Sequence, residues 1–209
     1  MKNKKLAHVQ DAMRAREAYD ISERNLCDAW LYLRSTGVSA QRINAIDDEF
    51  YGETIPYFQK EADDGVIDVF IDRFLGNVEI SRARVEAVVE SRYHSRLARA
   101  FPTLDSYPII LDSLVTDLIM VLYQIHVSFG YGHTRLLRVL DYIRDYRGDE
   151  KQEVFEKLKI RYPDPQTLPD LDDLRLRHRK RQQRPTIDQE QLEQVQRDLD
   201  ALRVMQGIS

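Results

Sequence analysis

The sequence is poor in cysteine, glycine and proline, with one, eight and seven of these residues among 209. One cysteine cannot form a disulfide framework or a zinc site of several thiolates. A fold of many short strands usually needs more glycine and proline for its tight turns. Hydrophobic residues make up 43% of the chain, which is enough for a sizeable core. We therefore predict an all-α protein in which Cys27 is a small buried hydrophobe near Trp30.

Long apolar runs are also scarce. The segment 1–16 is basic and has no apolar stretch of signal-peptide length. The most apolar window, 109–127, carries Asp112, Asp117 and Gln124, and carboxylates are costly inside a lipid bilayer. This window is therefore predicted to be a buried core helix. We expect a soluble, cytoplasmic protein without a membrane contact.

Apolar residues at three-to-four spacing predict helices over most of the first 160 residues. The predicted helices span 3–34 (in one or two pieces), 40–50, 66–75, 82–101, 110–127, 133–147 and 150–160. Segment 66–75 also alternates like a strand, but its helical surroundings favour a helix. Pro102 and Pro108 are expected to delimit one connection. The predicted organisation is a bundle-like helical core domain (1–160), a proline-rich linker or strap (161–173), and a basic segment with a C-terminal helix (174–209).

Charge is distributed very unevenly along the chain. The segment 47–72 holds nine acids and one base, whereas the segment 175–184 holds six bases and no acid. From the first segment we predict an acidic protein-binding face, made of Asp47, Asp48, Glu49, Glu53, Asp63, Asp64, Asp68 and Asp72. From the second we predict a nucleic-acid-binding alternative, made of Arg175, Arg177, Arg179, Lys180, Arg181 and Arg184. A further alternative is that the two segments bind each other.

The segment AWLYLRSTGVSAQRINAI, residues 29–46, resembles the centre of a helix-turn-helix. Gly37 is predicted to end the first helix and Ser39 to cap the second. A DNA-reading helix-turn-helix needs a small residue where this chain has Leu33, and the acids that follow would repel phosphate. The pattern therefore favours a plain helical hairpin.

The segment HVSFGYGHTR, residues 126–135, raises two site hypotheses. A phosphate-binding loop requires glycine spacings that are absent here, and no strand precedes it. A metal pair of His126 and His133 would need one unbroken helix, which Gly130 and Gly132 interrupt. The segment is therefore predicted to be a corner between two helices. Both glycines are expected to adopt positive φ, and Phe129 and Tyr131, which flank Gly130, are expected to pack the corner.

The longer string VLYQIHVSFGYGHTRLLRVLDYI, residues 121–143, resembles a segment of small uncharacterised phage and prophage proteins of Gram-positive bacteria. The resemblance rests on an F-G-aromatic-G run at 129–132, followed by Arg135, Leu136 and Arg138. The basic pair of those proteins is replaced here by His133 and Thr134. The resemblance covers about 23 of the 209 residues. It implies a mobile-element origin, but it transfers no catalytic residue.

The C-terminal segment carries a narrow apolar seam. Its members are spaced by three or four residues and are predicted to form a dimerisation helix: Leu192, Val195, Leu199, Leu202 and Met205. A seam of about two heptads is too short to be stable alone, so it must pack on another surface. Pro185 interrupts the continuous helix that a basic zipper needs. We expect a homodimer in which this helix contributes to the interface.

Three classes of function remain open from the sequence. The favoured class is a non-enzymatic, phage-type regulatory or anti-host protein, whose acidic face mimics nucleic acid when it binds a nucleic-acid-binding protein. The second is a nucleic-acid-binding accessory protein that uses the basic run at 175–184. The third is a metal-dependent enzyme built on the acidic cluster. Since so many acids form pairs by chance, no catalytic residue, metal or cofactor is assigned.

Overall fold

The computed structural model describes residues 2–101, 106–146 and 152–162. Every regular element in these ranges is helical, and the ranges contain no strand, which confirms the predicted all-α class. The helices are α1 (Lys2–Ser35), α2 (Ala40–Glu49), a π-helical turn (Phe50–Thr54), α3 (Ile55–Asp63), α4 (Ile67–Asn77), α5 (Arg82–Ala100), α6 (Ser106–Phe129), α7 (His133–Asp145) and α8 (Gln152–Leu158).

The predicted caps between α1 and α2 are confirmed. Gly37 adopts φ +94°, which L-amino acids rarely reach, and the hydroxyl of Ser39 accepts a hydrogen bond from the backbone N–H of Arg42 at 3.2 Å. Leu33 and Ile43 are completely buried. The connection is therefore a tightly packed helical hairpin.

Two predicted boundaries differ from the structure. Pro108 lies in the first turn of α6 and not in the preceding connection. A proline is tolerated there because the first N–H groups of a helix have no intrahelical partner. The helix α3 (Ile55–Asp63) was not predicted from the sequence pattern. The segment 66–75, by contrast, is helical as predicted from residue 67 onward, where α4 begins, and Val66 is the N-cap of that helix.

α6 is the central helix of the described domain. It packs against α1, α5, α7 and the π-helical turn. In the described part of the chain, only Tyr107–Phe129 is long and apolar enough to cross a membrane by length and composition, and 78% of its most apolar stretch is buried inside the protein. Its carboxylates are paired, since Ser22 donates to Asp117 at 2.6 Å and Arg82 pairs with Asp112. This packing fits the predicted core helix.

α5 is connected to its neighbours by arginines. Arg84 pairs with Asp141 of α7 at 2.7 Å, and Arg96 pairs with Glu17 of α1 at 2.6 Å. The apolar side of α5 is buried: Val85, Val88, Val89, Tyr93 and Leu97. The basic residues of α5 therefore hold the helices around it in place.

Arg92 is the buried member of this series. Its guanidinium donates to the carboxylate of Asp28 in α1 and, at 2.7 Å, to the carbonyl oxygen of Ile143 in α7. The Arg92 side chain is 7% exposed and that of Asp28 is 0% exposed. One guanidinium thus bridges three helices in a place where an uncompensated charge would be costly.

The segment α2–α3 is helical throughout, although it contains Pro56. The N–H of Ile55 donates to the carbonyl of Phe50, five residues earlier, which defines the π turn. In a continuous α-helix Pro56 could not donate to Gly52, and its ring would press on that carbonyl. The wider turn precedes the proline and lets the chain remain helical.

The last described residues, 159–162, follow α8 and interact with α1 and α2 through hydrogen bonds and an ion pair. Asn44 of α2 accepts from the N–H of Arg161 at 2.7 Å, and its amide donates to the carbonyl of Lys159 at 3.3 Å. Arg161 also pairs with Asp48 of α2. The pKa of Tyr162 is raised by burial and then by a hydrogen bond with Glu23 of α1.

Candidate functional site

Asp47 departs from the predicted acidic face. Its carboxylate is 1% exposed and accepts a hydrogen bond from the indole N–H of Trp30 at 2.9 Å. Arg161 lies 4.0 Å from its second oxygen. Burial raises the pKa of Asp47, which the hydrogen bond from Trp30 and the charge of Arg161 partly oppose. Asp47 is therefore part of the core and cannot contact a partner at the surface.

Two further acids of the predicted set are engaged within the chain. Asp48 is exposed but pairs with Arg161. Glu49 is half-buried and lies 3.5 Å from Arg42. These residues stabilise α2 against its neighbours, so they contribute less free negative charge than their position in the sequence suggests.

The remaining acids lie around α3 and α4. Asp68 is half-buried, and Arg82 lies 4.0 Å from its carboxylate. The others are exposed: Glu53, Asp63, Asp64 and Asp72. The surface of the segment 53–73 carries six acids and two bases. A negatively charged surface is therefore present, but fewer acids contribute to it than the sequence predicted.

This same region exposes large apolar side chains. Among the described residues, four large hydrophobic side chains are exposed: Tyr57 38%, Val66 43%, Val69 56% and Val127 52%. They come from α3, the start of α4 and the end of α6. A single exposed valine needs no explanation, whereas several in one place mark a binding surface.

Tyr57 belongs to an aromatic cluster formed by residues of α3, α4 and α6. The ring of Tyr57 lies 5.1 Å from Phe70 and stacks on Tyr123 at 6.3 Å, measured between centroids. Val66 and Val69 lie four residues and one residue before Phe70 on α4, and Val127 lies one helical turn after Tyr123 on α6. We call Tyr57, Val66, Val69 and Val127 the apolar patch. Its acidic rim is Glu53, Asp63, Asp64, Asp68 and Asp72.

A cleft of about 530 Å³ opens beside the patch, between the π-helical turn and α6. Its lining combines charged, polar and aromatic side chains: Arg42, Glu49, Glu53, Thr54, Tyr57, Tyr123, Gln124, Val127 and Ser128. Clefts of this size are typical of ligand pockets. Tyr57 and Val127 belong to both features, so the cleft adjoins the patch at these two residues.

A polar network fixes the floor of the cleft. The amide nitrogen of Gln124 donates to Glu49 at 3.1 Å and to the hydroxyl of Ser128 at 2.8 Å. Its amide oxygen accepts from Thr54, and Ser128 donates to Glu49 at 3.1 Å. Gln124 and Thr54 are buried, and each of their side-chain polar atoms takes part in these hydrogen bonds. The floor is therefore rigid and internally satisfied.

The two carboxylates of the cleft differ in whether a basic residue compensates their charge. Glu49 is compensated by Arg42, whose guanidinium also donates to the carbonyl of Ser128 at 3.4 Å. Glu53 is exposed and has no ion pair within the part of the chain that the structure describes. The π turn carries Glu53 and Thr54 together to the mouth of the cleft. A ligand would therefore meet one uncompensated negative charge.

The segment 126–135 is a corner between two helices, as predicted, but its two glycines differ from each other in backbone conformation. Gly130 has φ +62°, whereas Gly132 has φ −88° and ψ −169° and precedes α7 in an extended conformation. The prediction of positive φ at Gly132 was wrong, because that residue is the N-cap of the next helix. Phe129 and Tyr131 pack the corner with ring centroids 5.4 Å apart.

The two histidines of the corner have separate backbone partners. His126 donates from Nδ1 to the carbonyl of Tyr131 at 2.8 Å, and His133 donates from Nδ1 to the carbonyl of Val78 at 3.2 Å. Within 2–101, 106–146 and 152–162, no three side chains of His, Cys, Asp or Glu are grouped as metal ligands would be. Cys27 is buried, as predicted.

The other predicted sites lie outside the described residues. They are the linker from residue 163 onward, the basic run at 175–184 and the seam at 192–205. Comparison with models of protein families, with curated proteins and with solved structures finds no match to this chain.

Sequence reasoning missed most of the cleft. Tyr123 and Gln124 were assigned to a core helix, and Arg42 to an ordinary helical hairpin. The available signal was Pro56, because a proline inside a helix requires a local departure from α-helical bonding. Such departures frequently mark functional sites.

Proposed function

We propose that the chain is a non-enzymatic, protein-binding regulator, and that the apolar patch with its acidic rim is its binding surface. The observation that supports this most is the exposure of four large hydrophobic side chains on α3, at the start of α4 and at the end of α6. These are helices whose aromatic residues Tyr57, Phe70 and Tyr123 pack together. An apolar centre with a polar rim is the usual organisation of a protein–protein interface.

Charge complementarity indicates the kind of partner. The segment 53–73 has a net negative charge, so it attracts a basic surface and repels phosphate. Proteins that bind nucleic acid present such basic surfaces. We therefore propose a nucleic-acid-binding protein as the target, with the acidic rim in the place of phosphates and the apolar patch supplying affinity. Together with the resemblance at 121–143, this favours an anti-host or regulatory role of mobile-element type in a bacterial cytoplasm.

The test is capture of a bacterial partner by the immobilised full-length chain, followed by reconstitution with the purified partner. We expect Val69→Glu to weaken the reconstituted complex by at least about tenfold, because it places a charge at the most exposed side chain of the apolar patch. Arg99→Glu, an exposed change on α5, is the control and should have little effect. Double-stranded DNA should compete with the chain for the partner, as nucleic-acid mimicry requires.

The alternative use of the basic run is tested with the same protein. If the full-length chain binds DNA at moderate salt, and replacement of Arg175, Arg179 and Arg181 by alanine abolishes that binding, the chain is a nucleic-acid-binding accessory protein. If the chain does not bind DNA and its complex depends on Val69, the protein-binding proposal holds.

A further inference from the structure

We propose that the cleft beside the apolar patch receives an arginine side chain of the bound partner, an inference that rests on the proposed protein-binding function and specifies its anchor. The guanidinium would lie between the carboxylate of Glu53 and the rings of Tyr57 and Tyr123. This assigns a ligand class to the cleft, namely a planar monocation carried on a flexible apolar stem.

The sign of the ligand follows from the charges in the lining. Glu49 is already engaged by Arg42, Gln124 and Ser128, which leaves Glu53 as the uncompensated charge among the described residues of the cleft. An anion entering the cleft would meet Glu53 without a free basic partner, since Arg42 is occupied by Glu49 and by the carbonyl of Ser128. A cation would complete the local charge balance.

The shape of the ligand follows from the aromatic wall. Tyr57 and Tyr123 stack with an interplanar angle of 16°, and both line the cleft. A guanidinium is planar and weakly hydrated, and it stacks on aromatic faces while it forms two parallel hydrogen bonds to a carboxylate. An ammonium group is a strongly hydrated point charge and gains less from such a wall. Arginine therefore fits better than lysine.

The cleft is also preorganised for this ligand. The polar atoms on its floor bond one another, so a guanidinium stem does not have to break a buried network to enter. Val127, half exposed at the rim, supplies apolar surface for the methylene stem. The same valine belongs to the apolar patch, so an arginine next to an apolar anchor on the partner would occupy both features at once.

The experiment is a nuclear magnetic resonance titration of the full-length, isotope-labelled chain with ethylguanidinium as the probe. N-ethylurea serves as its neutral analogue and ethylammonium as the analogue of lysine. We expect saturable shifts of the Gln124 side-chain amide and of the Glu53 and Ser128 backbone amides with ethylguanidinium. Glu53→Gln should weaken this binding roughly fivefold to tenfold, as expected for the loss of a charge-assisted hydrogen bond. Glu153→Gln, the same change at an exposed acid of α8 outside the cleft, the patch and the rim, should leave it unchanged.

Three results would overturn the inference: no saturable shift, an equal response to N-ethylurea, or equal binding by Glu53→Gln. Equal affinity for ethylammonium would overturn the choice of arginine. The probe does not involve the partner, so this titration and the Val69→Glu capture fail separately. If the cleft ignores the probe while capture depends on Val69, the proposed function stands without its arginine anchor. If nothing is captured, the proposed function fails even where the probe binds.

Discussion

Asp47 accepts a hydrogen bond from Trp30 and is cut off from solvent, although it stands in a run of acids. Because burial favours the neutral form of a carboxyl group, the pKa of Asp47 is raised from its ordinary value of 3.8. The folded state therefore holds this proton more tightly than the unfolded state. Its contribution to stability is complete at low pH and declines as pH rises through the raised pKa.

Asp47→Asn should remove the contribution of this residue to the pH dependence of stability. Asparagine keeps an oxygen that accepts from Trp30 but never becomes charged. The free energy of unfolding of the variant, relative to the original protein, should therefore rise between about pH 4 and about pH 7. Urea unfolding at both pH values measures this difference. A difference that stays constant, or falls with pH, would show that Asp47 is not held as described.

The two glycines of the corner at 130–132 provide a second residue-scale prediction. Gly130→Ser places a side chain in the left-handed region and should destabilise the fold by about 1 kcal/mol. Gly132→Ser should be neutral or stabilising by a few tenths of a kcal/mol, because Gly132 is an extended N-cap and serine caps well there. Thermal or urea unfolding of the two variants compares the same substitution at both positions. Equal losses would contradict the different conformations of these glycines.

At the scale of helices, α5 is held by ion pairs of very different burial. The pair of Arg92 with Asp28 is almost completely buried, whereas the pair of Arg84 with Asp141 is exposed by more than two fifths. Exposed pairs contribute little because water and salt screen them, and breaking a buried pair leaves a charge without compensation.

Arg92→Met and Arg84→Met test this distinction with one chemical change. The first should lower the free energy of unfolding by roughly 3–5 kcal/mol, because it leaves Asp28 charged and buried and removes the donor to Ile143. The second should cost about 0–1 kcal/mol. Chemical unfolding at neutral pH is the measurement. Similar costs for the two variants would show that the described burial of Arg92 does not determine stability.

The helices that carry local signals could be predicted from the sequence. Ser39 and Ser81 cap α2 and α5, and each hydroxyl accepts from the backbone N–H three residues later. These are short-range interactions, and a serine just before an apolar repeat is enough to predict them. The buried sides of α5 and α7 could be predicted for the same reason, since an amphipathic period is a property of one segment.

The candidate site depends on contacts between distant segments, which cannot be predicted from the pattern of any one segment. Tyr57 and Tyr123 meet although 66 positions separate them in the chain. The π turn that places Glu53 at the cleft depends on how the chain accommodates Pro56. Burial of Asp47 depends on the indole of Trp30 in another helix. The spacing of apolar residues indicates which side of a segment is buried. It does not indicate which side chains of that segment contact residues that are distant in the sequence.

At the scale of the molecule, the apolar seam from Leu192 to Met205 predicts a homodimer. Leu199→Glu with Leu202→Glu should release monomers while the helical core stays folded, because charges cannot be buried in such an interface without partners. Light scattering gives the mass of the original and variant chains, and circular dichroism checks the helical content. A monomeric mass for the original chain would contradict this prediction.

The central claim is that the apolar patch and its acidic rim bind another protein. The most direct measurement is site-specific photo-crosslinking in bacterial cells, with benzoylphenylalanine at position 69 in one variant and at position 99, on α5, in a control. We predict an adduct with another protein at position 69 and none at position 99. Neutralising Asp63 and Asp64 should reduce the yield, because these acids attract the partner. Equal adducts at both positions, an adduct only with a second copy of the chain, or no adduct at position 69 would contradict the claim.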